Sequence, residues 1–148
     1  MKPGDVFLWK DFPFPQKGGE VKQRWFIYLG DSGLFSKPIF AFICTTTTQI
    51  QDFKKGGRRA GHRSCIFKKG QFPFEEECLL DFDELPYTNF TKEELEKNPD
   101  IEIKGTLDAK KMREIYEGIY FSRLYSPKIK RDIRESLNLI GITGLRKI

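Results

Sequence analysis

The chain lacks several features that mark familiar classes of protein. Its 148 residues contain no apolar run near the roughly 20 residues that a membrane-spanning helix needs. The N-terminal segment MKPGDVFLWKDF has neither a long apolar stretch nor a small-residue cleavage site, which predicts that no signal peptide is present. We therefore expect the protein to have no membrane partner.

Cysteine is scarce, and its spacing argues against two kinds of stabilisation. Cys44, Cys65 and Cys78 are odd in number, lie far apart and form no Cys-x-x-Cys pair. This pattern argues against a disulfide framework and against a zinc site, and it favours the reducing cytoplasm. We predict a cytoplasmic protein with no metal site and no cofactor.

Two common catalytic signatures are missing as well. The sequence has no G-x-x-x-x-G-K phosphate loop and no G-x-S-x-G nucleophile elbow. Histidine occurs once, at His62, so acid–base chemistry by an imidazole has a single candidate. Aromatic residues, in contrast, are abundant, and 14 of them are phenylalanine. One aromatic-rich core in a chain of this length is typical of small sheets and barrels.

Charge is distributed unevenly along the chain. The net charge is +5, and Lys54–Lys69 contains seven Lys or Arg residues and no acid, whereas Glu75–Glu84 contains six acids and no base. A basic segment is the usual electrostatic footprint of a nucleic-acid partner. The alternative is a solvated charged loop. For the acids we expect a solvated strand face rather than a two-metal site, because alternate residues of a strand point to opposite faces.

Short apolar and aromatic runs, bounded by Gly, Pro and Asp, predict five or six strands. The candidates are Val6–Trp9, Arg24–Leu29, Phe40–Gln49, Cys65–Phe67, Glu76–Phe82 and Ile101–Ile103, the last ended by Gly105. Between the third and fourth candidates, the glycine-bearing basic segment predicts a long loop or the flexible tip of a hairpin.

Helix signals follow the main group of strands. Thr91 and Glu94 form a capping-box pattern that predicts a short helix over Lys92–Lys97. Asp108 is a predicted N-cap of a second helix, Ser126-Pro127 marks the start of a third, and Gly141 lies where a glycine ends it. The order predicts a single α+β domain over residues 1–148. A small antiparallel barrel or strongly curved sheet spans about residues 3–105, and helices span about residues 106–141.

The stretch Phe40–Gln49, FAFICTTTTQ, joins a buried strand to a row of hydroxyl groups. Because side chains of a strand alternate between two faces, Thr45 and Thr47 share one face with Ile43. We predict that Thr47 lies in a solvent-accessible pocket and that Thr45 forms its inner wall. A bulge would displace either one.

Four short motifs together resemble the MazF/PemK family of toxin–antitoxin endoribonucleases. They are Pro3-Gly4-Asp5-Val6 at the start of a strand, Lys17-Gly18-Gly19-Glu20 followed by Arg24, Cys44–Gln49 ending in Thr-Thr-Gln, and Lys104-Gly105-Thr106-Leu107 before a helix. The motifs occur in the family's order. The chain differs from the family pattern in having Trp25 where proline is usual, Gln23 where many members have histidine, two additional threonines, and a further helix from Pro127.

The resemblance implies a small antiparallel SH3-like (plasmid-toxin) β-barrel with C-terminal helices. It further implies a homodimer that cleaves single-stranded RNA without metal and is held inactive by a cognate antitoxin protein. Cleavage of this kind uses the RNA's own 2′-hydroxyl as the nucleophile. The protein must take a proton, stabilise a dianionic phosphorane and protonate the leaving 5′-oxygen.

Three residues are the predicted catalytic groups of that mechanism. The planar, permanently charged guanidinium of Arg24 matches phosphate oxygens, and the hydroxyl of Thr47 can donate to the same oxygens. Glu20 is a candidate base or a residue that orients the arginine. The predicted RNA-binding residues are Thr45, Thr48, Gln49, Lys54, Lys55, Arg58, Arg59 and His62. Phe12 and Phe14 are candidates for stacking on bases, whereas Trp25 is expected to pack in the core.

The alternative function is that of a non-catalytic barrel that binds nucleic acid or a protein partner. Each catalytic candidate also has a purely structural interpretation. Arg24 would form a surface ion pair, the threonines would reflect β-propensity, and Glu20 would be a solvated loop residue. From the sequence, both functions and the identity of the base stay open.

Overall fold

Six strands and three α-helices make up the part of the chain that the computed structural model describes, residues 1–14, 23–71 and 73–148. The elements are β1 (Asp5–Trp9), β2 (Arg24–Asp31), β3 (Ala41–Thr47), β4 (Ser64–Phe67), β5 (Cys78–Asp81), α1 (Lys92–Lys97), β6 (Ile101–Thr106), α2 (Ala109–Phe121) and α3 (Pro127–Leu139). A short 3₁₀ turn over Ile50–Phe53 follows β3. The predicted α+β class is confirmed.

The strands form one antiparallel sheet in the order β4-β5-β3-β2-β1-β6. β4 and β6 are its two edges, and no strand pairing between described residues joins them to close a barrel. The register shifts between Val6 and Phe7 on β1, and between Tyr28 and Gly30 on β2. Shifts of this kind bend strands and increase their twist, so the sheet is curved without being closed.

Alternation along the central strands gives the sheet two apolar faces. The aromatic face packs with α1 and neighbouring loops, and the helical face lies beneath α2 and α3. The aromatic face consists of Phe7, Trp9, Phe26, Tyr28, Ala41 and Ile43, covered by Phe12, Phe90 and Leu95. The helical face includes Val6, Ile27, Leu29, Phe42 and Cys44, which cluster with Met112, Ile115, Ile133 and Leu137.

The helix ends agree with the predicted capping residues. Thr91 and Glu94 form the complete capping box, and Asp108 and Ser126 accept hydrogen bonds from backbone N–H groups in their first helical turns. Gly141 has a φ of +89° just after α3, as a terminating glycine should. The two longest helices have 13 residues each, and no described helix combines the length and apolar character of a membrane span.

Several predicted strand boundaries were wrong. β2 continues to Asp31, two residues past the predicted end, and β5 is limited to Cys78–Asp81. Gly105 does not end β6, because that strand continues to Thr106 and Gly105 pairs with Val6 beside the bulge. A glycine inside a strand commonly marks such a bulge.

Gly118 on α2 leaves room for the Phe82 ring, and we predict that a methyl group there destabilises the fold. A β-carbon at this position would overlap the ring. Overpacking costs up to about 3 kcal/mol, whereas replacing a helical glycine by alanine contributes about 1 kcal/mol of stability. Gly118→Ala should therefore lower the free energy of unfolding in urea by about 2 kcal/mol.

Lys110→Ala, at an exposed position of the same helix, is the matched control and should change stability by less than about 0.5 kcal/mol. Adding Phe82→Leu to Gly118→Ala should recover part of the loss, because it removes the overlapping ring. A Gly118→Ala variant that is more stable than the wild type would contradict the close packing of this ring on α2.

Candidate active site

Arg24 begins β2 and Thr47 ends β3, at the same end of two paired strands. Phe26 of β2 pairs with Thr45 of β3. Continuing the same antiparallel register by two residues sets Arg24 opposite Thr47, at the first residue of β2 and the last of β3. Directly opposed residues share a face of the sheet, so both side chains belong to the aromatic face that carries Phe26.

The hydroxyl groups of Thr47 and Thr45 form different hydrogen bonds. Thr47 is half-buried, and its Oγ1 accepts a hydrogen bond from the Gln49 backbone N–H at 3.1 Å. Its own hydroxyl hydrogen therefore remains to be donated. Thr45 is only 7% exposed, and its hydroxyl lies 3.1 Å from the Trp25 carbonyl oxygen, to which it donates. The structure thus gives Thr47 the more available donor and makes Thr45 part of the wall.

The other two threonines and Gln49 lie either on the helical face or in solvent. Thr46 falls on the helical face, where it hydrogen-bonds the Cys78 thiol. Thr48 and Gln49 are exposed just after β3 ends. The RNA contacts predicted for Thr45, Thr48 and Gln49 remain predictions. The exposed side chains of Thr48 and Gln49 are more accessible to RNA than the buried side chain of Thr45.

Arg24 lies against aromatic side chains at one end of the aromatic face. Its guanidinium carbon is 5.8 Å from the centre of the Phe12 ring. Phe12 is buried, so its predicted stacking on a base is wrong. Phe14 is 50% exposed and lies parallel to Tyr87, with a 6° angle and 6.2 Å between ring centres. Trp25 packs against Phe74 and the helical-face core, as predicted.

His62 is joined to a buried carboxylate on β5. Its Nδ1 atom lies 2.8 Å from Oδ2 of Asp81, whose side chain is 1% exposed, while the histidine side chain is 37% exposed. A carboxylate accepts hydrogen bonds, so Nδ1 carries the hydrogen in this contact. Asp81 was expected on a solvated face, and this prediction was wrong.

The face on which Asp81 lies follows from the register. Leu80 pairs with Thr46, so both are on the helical face. Asp81 is the next residue and therefore projects to the aromatic face, which also carries Thr45 and Thr47. Arg24 on β2, Thr47 on β3 and the Asp81–His62 pair on β5 thus share one face over three adjacent strands.

Further charges surround the histidine. A guanidinium nitrogen of Arg59 lies 3.6 Å from the same Asp81 oxygen and 3.8 Å from Glu84. The Arg59 guanidinium also lies over the Phe53 ring, which meets the His62 ring edge-on with 6.3 Å between ring centres. The second Asp81 oxygen accepts the Asp83 backbone N–H at 2.9 Å. These contacts hold the Asp81 carboxylate in a fixed orientation.

The basic segment forms a loop, one of the two predicted alternatives, and backbone hydrogen bonds fold it on itself. Backbone hydrogen bonds join Gly57 N–H to the Lys54 carbonyl at 2.8 Å, Arg59 N–H to the Asp52 carbonyl at 2.7 Å, and His62 N–H to the Arg59 carbonyl at 3.0 Å. The exposed basic side chains of this segment include Lys54, Lys55 and Arg58. Arg58 contacts Asp52 at 3.2 Å, a surface ion pair of the kind that contributes little stability.

The cysteines do not resemble catalytic nucleophiles. All three are unpaired by disulfides and buried. Burial raises the pKa of Cys65 to about 12 and that of Cys78 to about 11. The reactive thiolate form is therefore scarce at neutral pH. No group of three or more His, Cys, Asp or Glu side chains that could hold a metal ion occurs within the described residues.

Glu20, and with it the motif Lys17–Glu20, lies outside the described residues. The residue that sequence reasoning missed is Asp81. Its signal was weak, because it belongs to an acidic run in which Glu75, Glu76 and Glu77 are indeed exposed. Asp81 differs from these glutamates because it directly follows the apolar pair of β5 and is itself part of that strand.

Comparison with known proteins adds no identification to this geometry. No protein-family model, no curated protein and no solved structure matches the chain.

Proposed function

We propose that this protein is a metal-independent endoribonuclease that cleaves single-stranded RNA by attack of the RNA's 2′-hydroxyl. The observation that carries the proposal is that Arg24 and Thr47 lie on one face of the sheet, at the same end of β2 and β3. A fixed cation and a hydroxyl donor beside each other suit one phosphate group. The resemblance to MazF/PemK toxins supports the same assignment.

The two side chains stabilise the transition state in different ways. The Arg24 guanidinium donates to two oxygens of the phosphate as negative charge develops there, and the Thr47 hydroxyl donates to one of them. The Gln49 N–H holds the Thr47 oxygen, and the packing of Arg24 over Phe12 restrains the guanidinium. Such preorganisation is what makes a donor effective, because little reorganisation is needed during the reaction.

The surroundings suit a single-stranded nucleic acid. The exposed Phe14 ring, supported by Tyr87, offers a surface on which a base can stack near the arginine. Lys54, Lys55 and Arg58 follow Thr47 in the chain and supply exposed positive charge for the phosphates that flank the cleaved one. Contacts of this kind favour RNA without fixing its sequence.

The proposal also includes what the resemblance implies beyond the chemistry. The curved sheet corresponds to an SH3-like barrel, two chains form a homodimer, and a cognate antitoxin protein blocks the RNA site in the cytoplasm. The bulges on β6 and β2 support the curved form of the sheet.

The test is incubation of the purified wild-type protein with a long single-stranded RNA in excess EDTA. We expect discrete RNA fragments that accumulate with time, because none of the proposed steps uses a metal ion. RNA that is retained in a gel-shift assay but stays intact at all incubation times would instead favour the non-catalytic binding protein. Cleavage that appears only after a divalent cation is added would contradict the proposed mechanism.

A further inference from the structure

The Asp81–His62 pair has the arrangement of a histidine prepared to accept a proton. The carboxylate of Asp81 is buried and holds Nδ1 at 2.8 Å, which fixes the hydrogen on that nitrogen. The other ring nitrogen, Nε2, then carries a lone pair. It makes no hydrogen bond to residues 1–14, 23–71 or 73–148, and the partly exposed ring leaves it accessible to a ligand.

Several charged side chains lie close to the His62 ring. Asp81 and Glu84 are two carboxylates gathered around the single guanidinium of Arg59. In the same loop, Arg58 is already paired with Asp52, and Asp83 accepts the backbone N–H of Arg63 at 2.9 Å.

The pair lies on the same face of the sheet as the phosphate site proposed at Arg24. Arg24 is on β2 and Asp81 on β5, with β3 between them, and both project to the aromatic face. The register sets Arg24 level with Thr47 and Asp81 level with Thr45. The Cα atoms of Arg24 and Asp81 are therefore two strand spacings of about 4.8 Å and two residues of about 3.4 Å apart, roughly 12 Å in all. The His62 ring contacts Asp81 and also Phe53 of the turn that follows β3, and Thr45 and Thr47 lie on the same face between Asp81 and Arg24.

From this geometry we infer that His62 is the general base of the RNA cleavage and that Asp81 is its positioning residue. The inference rests on the proposed function, because it names the base of the same reaction. It gives the base role to His62 in place of Glu20.

In the proposed step, His62 Nε2 takes the proton of the ribose 2′-hydroxyl while the 2′-oxygen forms a bond to phosphorus. The phosphorus–O5′ bond breaks, and the 5′-oxygen takes a proton from water. The products are a 2′,3′-cyclic phosphate, a 5′-hydroxyl and an imidazolium that Asp81 stabilises until its extra proton passes to solvent.

His62→Gln keeps a polar side chain of similar size but cannot accept the proton. We expect its single-turnover cleavage rate to fall by at least about 10²-fold. The wild-type rate should fall at acid pH, because a protonated ring cannot act as a base, and this dependence should be absent in His62→Gln. Asp132→Asn is the matched control, since it also removes one carboxylate but lies on α3, on the other side of the sheet, where it pairs with Lys128, and it should retain the wild-type rate and pH profile.

A second measurement does not depend on activity. Because the chain has one histidine, a long-range ¹H–¹⁵N NMR spectrum of untagged protein reports the His62 ring alone. At a pH where the ring is neutral, we expect Nδ1 to carry the hydrogen and Nε2 to lack it. In Asp81→Asn the hydrogen should move to Nε2, because an amide can donate to Nδ1, and the cleavage rate should fall.

The outcomes separate the two proposals. A wild-type protein that cleaves RNA while His62→Gln keeps its rate and pH profile would overturn the role of His62 alone. A neutral ring protonated at Nε2 in the wild type would overturn the role of Asp81. A wild-type protein that does not cleave RNA would overturn the proposed function and the base together.

Discussion

Replacing Arg24 with alanine is expected to slow RNA cleavage by about 10²–10³-fold, the usual cost of removing one preorganised donor from a transition state. Arg24 lies opposite Thr47 on the aromatic face, where the phosphate is proposed to bind. The loss should appear in the single-turnover rate at saturating protein, since the charge that develops during the reaction loses its main partner. The affinity for RNA should change much less, because the basic segment stays intact.

Two further variants test whether the loss of rate depends on the guanidinium group of Arg24. Arg24→Lys keeps the charge but loses the planar pair of donors, so its rate should lie between those of wild type and Arg24→Ala. Arg131→Ala removes an exposed arginine from α3, on the opposite side of the sheet, and should cleave at the wild-type rate. Undiminished cleavage by folded Arg24→Ala would show that this residue does not act on the phosphate.

Thr47→Val is expected to lower the cleavage rate by about 10²-fold or more, because valine has the shape of threonine without its donor. Thr47 is the threonine whose hydroxyl hydrogen remains to be donated, since its oxygen accepts the Gln49 N–H. The measurement is again the single-turnover rate, with thermal unfolding as the check that the variant is folded.

Thr46→Val is the matched control for this prediction. Thr46 differs from Thr47 by one position and faces α2 and α3, where it hydrogen-bonds Cys78. Its loss should reduce stability by roughly 1 kcal/mol and leave the cleavage rate unchanged. A rate loss in Thr46→Val, with Thr47→Val unaffected, would mean that β3 has the opposite orientation and that the register argument is wrong.

Features that depend on neighbouring residues could be predicted from the sequence. The capping box at Thr91 and the N-caps Asp108 and Ser126 are found as expected, because a cap and its helix are only a few residues apart. The face shared by Thr45 and Thr47 was also predictable, since alternation is a property of one strand.

The partnership of His62 with Asp81 could not be predicted in the same way. The two residues are 19 positions apart and meet because β4 and β5 pair, although each strand has only four residues and no tight turn joins them. Nothing local in the sequence fixes such a pairing. The choice between a closed barrel and an open, strongly curved sheet could not be made from the sequence for a related reason, because closure depends on contacts between the first and last strands of the sheet order.

The most direct test of the central claim is the chemistry of the RNA ends produced by the wild-type protein in EDTA. Attack by the 2′-hydroxyl predicts a 2′,3′-cyclic phosphate on one fragment, seen by mass spectrometry, and a 5′-hydroxyl on the other. The 5′-hydroxyl would accept labelled phosphate from a polynucleotide kinase without prior phosphatase treatment. Fragments with a 5′-phosphate and a 3′-hydroxyl would show that water, not the ribose, is the nucleophile, and would contradict the account.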